Sequence, residues 1–545
     1  MSATIFPTGV TIYNPEKCWS GYTIFQAAER GALLIDMNGN EVRMWEGLQG
    51  FPNKMLPGGY VMGSLGERNP KYGLQDQTDL VQVDWDGNIV WKFDKAEYIE
   101  DPGEEPQWMA RQHHDYQREG NTVGYYVPGS DPKTNSGNTL ILAHKNVHVP
   151  AISDKMLLDD VIYEVDWDGD IVWEWKVSDH FEELGFDAIA RNLMYRDPNY
   201  YTGFGNSHIA GDWVHTNSMS VLGPNKWYDA GDERFHPDNI IVDGREANII
   251  FIISKATGKI VWKLGPDYDN SPEAKAIGWI IGQHHCHMVP RGLPGEGNIL
   301  IFDNGGWGGY DVPNPGSPTG VKAALRDHSR VLEIDPVAMK IVWQYTPTEA
   351  GFLAPMDCNR FYSPFISGMQ RLPNGNTLIT EGSDGRVFEV TKDHEFLPKF
   401  VRSVAAEIRK ASEADPELQY SDYYIWSDSK DAFPTKKFVR SDAARDGNYM
   451  KNFFDIQPAL NYGYLHPDPA QPWQQGYDDP GPTAVRNELK NIISFWMDKG
   501  VDGFRCDMAQ SLVKGDDKQH TGTMRLWHEL RSWFEAKYPE GILIS

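Results

Sequence analysis

Six times in its first 390 residues the chain repeats one short pattern: a strand, an Asp-rich turn with glycine, and a second strand that usually reaches a tryptophan. The copies stand at 34–42, 81–91, 163–173, 252–262, 333–343 and, shortened, at 388–391. Alternating β-branched and aromatic residues around an Asx/Gly turn are what a half-buried hairpin requires. A second strand signal recurs between copies, at 137–142, 297–302 and 375–380. Two hairpins make a four-stranded sheet, and six such sheets closing radially make an all-β six-bladed β-propeller, whose edges are short and protected. The copies are unevenly spaced, so long loops must decorate several blades, and loops of that kind shape binding mouths. The repeat tryptophans read as blade-to-blade packing and are given no chemistry.

After Val390 the pattern stops. The sixth copy runs on through 392–398 without its second strand or its tryptophan, so that blade is expected to be unfinished. Residues 401–414 have helical composition. Beyond them, 486–497 and 524–538 carry apolar residues at a 3.6-residue period, with short strands expected at 503–507 and 541–544. Strand and helix in alternation imply a parallel α/β unit. The reading is therefore a propeller over 1–391, a junction over 392–411, and a partial α/β segment over 412–545 that looks like an incomplete TIM-type barrel. The abrupt change of style inside an unfinished blade suggests a chimera of two unrelated pieces.

A formal charge of −26 argues against a nucleic-acid or anionic-membrane partner, both of which need excess Lys and Arg at the contact. The four cysteines have no CxxC spacing, so no disulfide framework or cysteine zinc site is indicated. No run of 18 apolar residues appears and the first residues lack a leader pattern, so a soluble cytoplasmic protein is expected. Oligomeric state stays open.

The chemistry-bearing stretch is Gln283-His284-His285-Cys286-His287, followed by Asp303-Asn304-Gly305-Gly306. Neutral imidazoles each carry a donor and an acceptor that need partners, so three in four positions are costly as plain core. Catalysis, metal binding and simple hydrogen bonding all remain open for this set. On a strand His285 and His287 share a face and His284 does not, which weakens the metal reading. A weaker copy is Gln112-His113-His114-Asp115, and His215-Thr216-Asn217 precedes another strand.

Over the first part the chain resembles the aryl-sulfate sulfotransferase family. The resemblance rests on Pro7-Thr8-Gly9-Val10, Asp212-Trp213-Val214-His215-Thr216-Asn217, Gln283-His284-His285, Phe302-Asp303-Asn304-Gly305, Ser329-Arg330-Val331, Phe361-Tyr362-Ser363-Pro364 and Arg371-Leu372-Pro373-Asn374-Gly375. It implies a six-bladed propeller that moves a sulfuryl group from an aryl sulfate to a phenol, without a nucleotide donor, through a sulfated histidine. Independently, sulfuryl transfer asks for an in-line nucleophile, donors on the equatorial oxygens and a proton for the leaving phenolate. The catalytic candidates are His215, His285, His284 and His114. Asn217 and Asn304 are expected to donate to sulfate oxygens, and His287, His113, Arg111 and Tyr362 are further substrate-binding candidates. Arg326, His328, Arg330 and Arg371 are alternative clamps, each also readable as an ion-pair partner. No cofactor or metal is assigned. The chain departs from the best-known members at Gly306-Trp307-Gly308-Gly309, where they carry an arginine, and at 362–367, which offers no histidine.

The second part resembles the alpha-amylase family of glycoside hydrolases through Asp422-Tyr423-Tyr424-Ile425-Trp426, Gln457-Pro458-Ala459-Leu460-Asn461 and Gly503-Phe504-Arg505-Cys506-Asp507. The resemblance makes Asp507 the glycosyl nucleophile and Arg505 the residue that keeps it ionised. Glycoside hydrolysis needs a second, protonated carboxyl, which is not found here, so the piece is expected to be inactive. A glycosidase and a non-catalytic binding propeller stay as competing readings.

Overall fold

The computed structural model describes residues 14–27, 30–198, 211–313, 315, 317–353, 356–397, 421–427, 438–440, 447–451, 459–498, 501–506, 512–539 and 541–544. Asp507 lies outside them, and of Arg505 only the backbone is described. The chain divides into two compact units, 1–400 and 401–545.

The first unit is a six-bladed β-propeller, and each sequence repeat forms the two outer strands of one blade. Blade one has three strands among the described residues, Thr23–Ala27, Gly31–Ile35 and Glu41–Glu46. Blade two runs Gln49–Leu56, Tyr60–Ser64, Leu80–Val83 and Ile89–Phe93. Blade three runs Gln112–Arg118, Thr139–Val147, Leu157–Val165 and Ile171–Lys176, and blade four Thr216–Val221, Ile240–Gly244, Ile249–Ile253 and Ile260–Leu264. Blade five is His284–Met288, Ile299–Asp303, Arg330–Asp335 and Lys340–Tyr345. Blade six is Gly368–Arg371, Thr377–Glu381, Arg386–Val390 and Phe396–Leu397. Blade six is thus not left at three strands as the sequence reading expects: Phe396 pairs with Val390 and Leu397 with Glu389, giving a two-residue fourth strand.

The repeated Asp has a definite task. Asp36 accepts from the backbone N–H of Asn38 and Asn40, Asp84 from those of Asp86 and Asn88, and Asp166 from those of Asp168 and Asp170. Each is an Asx turn whose glycine takes the left-handed conformation, with φ of 80° at Gly39 and 92° at Gly87 and Gly169. The tryptophans join the blades. Trp45 donates its indole N–H to Asp84 O, Trp91 to Trp167 O, Trp175 to Gly258 O, Trp262 to Pro336 O and Trp343 to Lys392 O. In every case the acceptor is the turn of the following blade. Blade six has no such tryptophan and closes the ring differently: Trp19 N–H donates to Glu389, Asn376 donates to Lys17 O, and Lys17 pairs with Glu395 at 2.6 Å. Apolar cores lie between and within the blades, with Trp213, Phe251, Phe302 and Phe361 fully buried.

The second unit contains the helices Pro480–Met497 and Thr521–Lys537 and a parallel pair in which Gly503–Arg505 runs beside Ile542–Ile544. Strand, helix and strand in that order form the parallel α/β unit expected from the alternation. Its core gathers Val485, Leu526 and Leu530 around Tyr462 and Tyr477. Among the described residues no helix is long and apolar enough to cross a membrane.

Candidate active site

The first strands of blades three, four and five each slip register once. The irregularities fall between Gln112 and Tyr116, Thr216 and Ser218, and His284 and His287. Within or just before each slip a histidine takes a positive φ: His114 at 50°, His215 at 51° and His285 at 52°. Such a backbone is strained for a residue with a Cβ, and bulges of this kind re-aim side chains next to functional sites. In blade three the alternation rule fails locally and the neighbouring imidazoles of His113 and His114 meet, whereas in blade five His285 and His287 still share a face.

Two histidines of different blades touch, and a third, His284, lies within electrostatic reach of them. The rings of His114 and His215 meet edge to face with centroids 4.7 Å apart, and the charge state of His284 acts on His114 just as that of His215 acts on His284. His113 lies behind them, its Nδ1 2.9 Å from that of His114 and its ring stacked 3.6 Å from His144. His285 belongs to a different group: its ring lies 4.7 Å from His287, its Nδ1 accepts from Met369 N–H, and His287 Nε2 is 2.8 Å from the Tyr125 hydroxyl.

Each imidazole is oriented by a fixed partner. His215 Nδ1 is 2.6 Å from Asp212 Oδ2, and His284 Nδ1 is 2.7 Å from Asn304 Oδ1. Burial, helped by the Arg245 charge, pushes both His215 and His284 down to about 3, so both rings are neutral at pH 7. Burial also lowers His114, with His215 adding to the effect, and takes His285 to about 4. Burial together with the Asp160 charge raises the Asp212 carboxyl to about 7.

Asn304 has both amide N–H groups engaged by backbone carbonyls, and Asn217 has at least one so engaged. Asn217 Nδ2 donates to Gln283 O, and Asn304 Nδ2 donates to Ser363 O and Ile366 O. They brace one blade against the next. The Asn304 turn depends on its glycines, because a Cβ on Gly306 would lie 1.8 Å from Pro364 O. Arg111 is buried between Asp76 and Glu97 at 2.8 and 2.7 Å. Arg326 and Arg330 both hold Asp303, and Arg371 holds Glu333. Tyr362 sits before blade six with its N–H on Glu381, and no hydrogen bond or ring contact joins it to the imidazoles among the described residues.

The cation that acts on both His215 and His284 is Arg245, which stands in none of the motifs. Its backbone N–H donates to His215 O at 3.0 Å, its side chain pairs with Glu246, and its guanidinium lies 4.8 Å over the Trp307 ring. It is 1% exposed, and its charge reaches His215, His284 and Asp212. The segment 306–309 carries no arginine, and Arg245 of blade four lies against its Trp307. The available signal is Asp243-Gly244-Arg245-Glu246, a charged cluster inside an otherwise apolar hairpin at 240–253.

Comparison with known proteins divides the chain in the same way. Residues 400–542 match the family described as alpha amylase, catalytic domain. Relatives of this part include Alpha-amylase 3 of Dictyoglomus thermophilum, 32% identical over 126 residues, 23% of this chain and 20% of that protein. Another is the trehalose synthase/amylase TreS of Mycolicibacterium smegmatis, 27% identical over 25% of this chain and 22% of that protein. The chain thus spans about a fifth of the length of these curated relatives. Among solved structures, a protein of unknown function from Bacteroides caccae aligns with 70% of this chain and 93% of its own at 10% identity and a TM-score of 0.35. Residues 130–424 match the family described as Arylsulfotransferase (ASST). With more than half of its residues inside that match, the chain belongs to the arylsulfotransferase family.

Proposed function

We propose that the propeller transfers a sulfuryl group from an aryl sulfate to a phenolic acceptor by way of a sulfated histidine, and that His284 is the carrier. The observation that carries this reading is the contact of His114 with His215 across two blades, with His284 of the next blade and the buried Arg245 within electrostatic reach. His284 is preferred to His285 because it shares that group, whereas His285 sits with His287 and Tyr125.

With Nδ1 given to Asn304, His284 Nε2 carries the lone pair that attacks sulfur. The sulfur–oxygen bond to the aryl group breaks and its electron pair leaves on the phenolate. Arg245 balances charge on the sulfate oxygens. The Asp212–His215 pair serves as acid and then base. Holding one extra proton, the pair presents N–H at Nε2 and protonates the phenolate; having lost it, the pair presents a lone pair and removes the proton of the acceptor phenol. The acceptor oxygen then attacks sulfur, the nitrogen–sulfur bond breaks, and His284 is restored.

Incubation with an aryl sulfate alone, followed by peptide mass spectrometry, tests the reading. An acid-labile adduct of one sulfuryl group on the peptide bearing His284, absent in His284→Ala, is expected; an unmodified chain would leave a non-catalytic propeller. The amylase-like part receives no hydrolytic role in this proposal, because hydrolysis takes two carboxyl groups and only Asp507 is matched by the motif.

A further inference from the structure

Blade three holds a second constellation that sulfuryl transfer does not use. We propose that His113, His144 and Asp160 bind one divalent first-row transition-metal ion through the two Nε2 atoms and Oδ1. The three residues occupy adjacent strands of one sheet, and His144 and Asp160 are direct cross-strand partners. His113 Nε2 lies 3.3 Å from Asp160 Oδ1 and His144 Nε2 lies 3.8 Å from it, and all three atoms fall within 4.8 Å of one another. Ligand bonds of about 2.0–2.2 Å put neighbouring ligand atoms roughly 3–3.5 Å apart. The constellation is therefore near the size of a first coordination shell.

These same three atoms are buried without a hydrogen-bond partner. Their other ends are fully engaged. His144 Nδ1 is 2.6 Å from Asp76 Oδ1, and Asp76 is clamped by Arg111 and Arg68. His113 Nδ1 faces His114 Nδ1, and Asp160 Oδ2 accepts from both the N–H and the hydroxyl of Thr216. In the tautomer with each Nδ1–H donated outward, to Asp76 from His144 and to His114 from His113, both Nε2 atoms carry lone pairs that converge on a carboxylate oxygen. Three lone pairs facing one another call for a cation between them. The carboxylate–imidazole arrangement at Asp76 and His144 is also the support that metal-bound histidines ordinarily have. Two imidazoles and one carboxylate suit zinc, manganese, iron or cobalt better than calcium or magnesium. The rings are nearly parallel, at 12°, so binding requires them to tilt apart by a modest rotation.

A bound ion would also fix the proton of His113 on Nδ1, which makes His114 accept there and present N–H at its own Nε2. That consequence rests on the sulfuryl-transfer reading; the binding itself does not, and its test uses no substrate. The full chain is stripped with a chelator, offered Zn²⁺, Mn²⁺ or Co²⁺ separately, desalted, and assayed by elemental mass spectrometry and thermal unfolding. About one equivalent of at least one ion, with a midpoint raised by several degrees, is expected, because an ion bound only to the folded state stabilises it. Asp160→Asn and His144→Gln, which keep side-chain volume, should each retain less than a tenth of that. Uptake below a tenth of an equivalent by the stripped wild type, for all three ions, overturns the proposal. So does uptake that Asp160→Asn leaves unchanged. Should both variants unfold, Co²⁺ on the wild type decides: visible absorption bands of imidazole-bound cobalt support the site, and their absence overturns it.

Discussion

Asp212 and His215 show how far one residue pair governs a reaction. Because burial and Asp160 lift the carboxyl to about 7 while burial and Arg245 depress the ring to about 3, the pair holds one proton below about pH 7 and loses it above. In the proposed first half-reaction the pair must donate, so kcat/KM for a donor with a poor leaving phenolate should fall as pH rises through about 7. In the second half-reaction it must accept, so transfer from the sulfated enzyme to phenol should rise over the same range. Asp212→Asn removes the titrating carboxyl. Stopped-flow measurement of each half-reaction should show both limbs flattened in that variant, with a loss of about 10²–10⁴-fold, the usual worth of general acid–base catalysis. Limbs that persist unchanged in Asp212→Asn would remove the pair from the mechanism. Sequence reasoning reaches His114, His215 and His284 through their motifs, since clustered imidazoles are poor core. It includes Asp212 in the motif of His215 without giving it a role, and it does not reach Arg245, which no motif contains. Strand alternation already sets His284 apart from His285 and His287, as their ring contact shows; what no side chain in the motif announces is the left-handed backbone of His285 at the register slip.

At the scale of the element, the hairpin repeat was the legible unit because its causes are local. The Asp side chain caps its own turn, glycine takes the left-handed position, and the alternation marks the buried face. The expectation that the repeat tryptophans pack blade to blade holds with an addition: each ties its blade to the next by one indole hydrogen bond. In blade three the bond comes from Trp175, two residues past the repeat's own tryptophan. The fourth strand of blade six was not legible, since two residues paired through backbone leave no periodicity to read. These bonds should differ in worth with burial. Trp262 N–H to Pro336 O is buried, whereas Trp343 N–H to Lys392 O is exposed to water that can replace it. Trp262→Phe should therefore cost about 1–3 kcal/mol, the usual penalty for a buried polar group left without its partner, plus the lost packing. Trp343→Phe should cost about 1 kcal/mol or less by the same reasoning. Thermal midpoints of the two variants measure the contrast, and equal shifts would show that the indole bond is not what joins the blades.

At the scale of the whole molecule, the chain carries two kinds of interior. The propeller's apolar clusters draw on residues from Ile24 to Val390, with many side chains fully buried, while the second unit's clusters draw on Tyr423 to Leu530 around a few tyrosines. Antiparallel strands paired within blades and helices packed on one another and on tyrosines answer to different local rules, which is why the change of period along the sequence marked the change of fold. Separate interiors of unequal size unfold at separate temperatures unless something couples them. Calorimetry of the full chain should show two heat-absorption peaks, the larger belonging to the propeller. An aryl sulfonate has the anionic head and ring of an aryl sulfate but no ester oxygen to cleave. Bound at His284 and Arg245, it stabilises only the unit that binds it, so the larger peak should move up by a few degrees at saturating concentration while the smaller stays in place. A single peak, or two peaks shifted equally by the sulfonate, would mean that the units melt as one body. A shift of the smaller peak alone would take the ligand away from the imidazoles altogether, because no blade would then be answering to the anion.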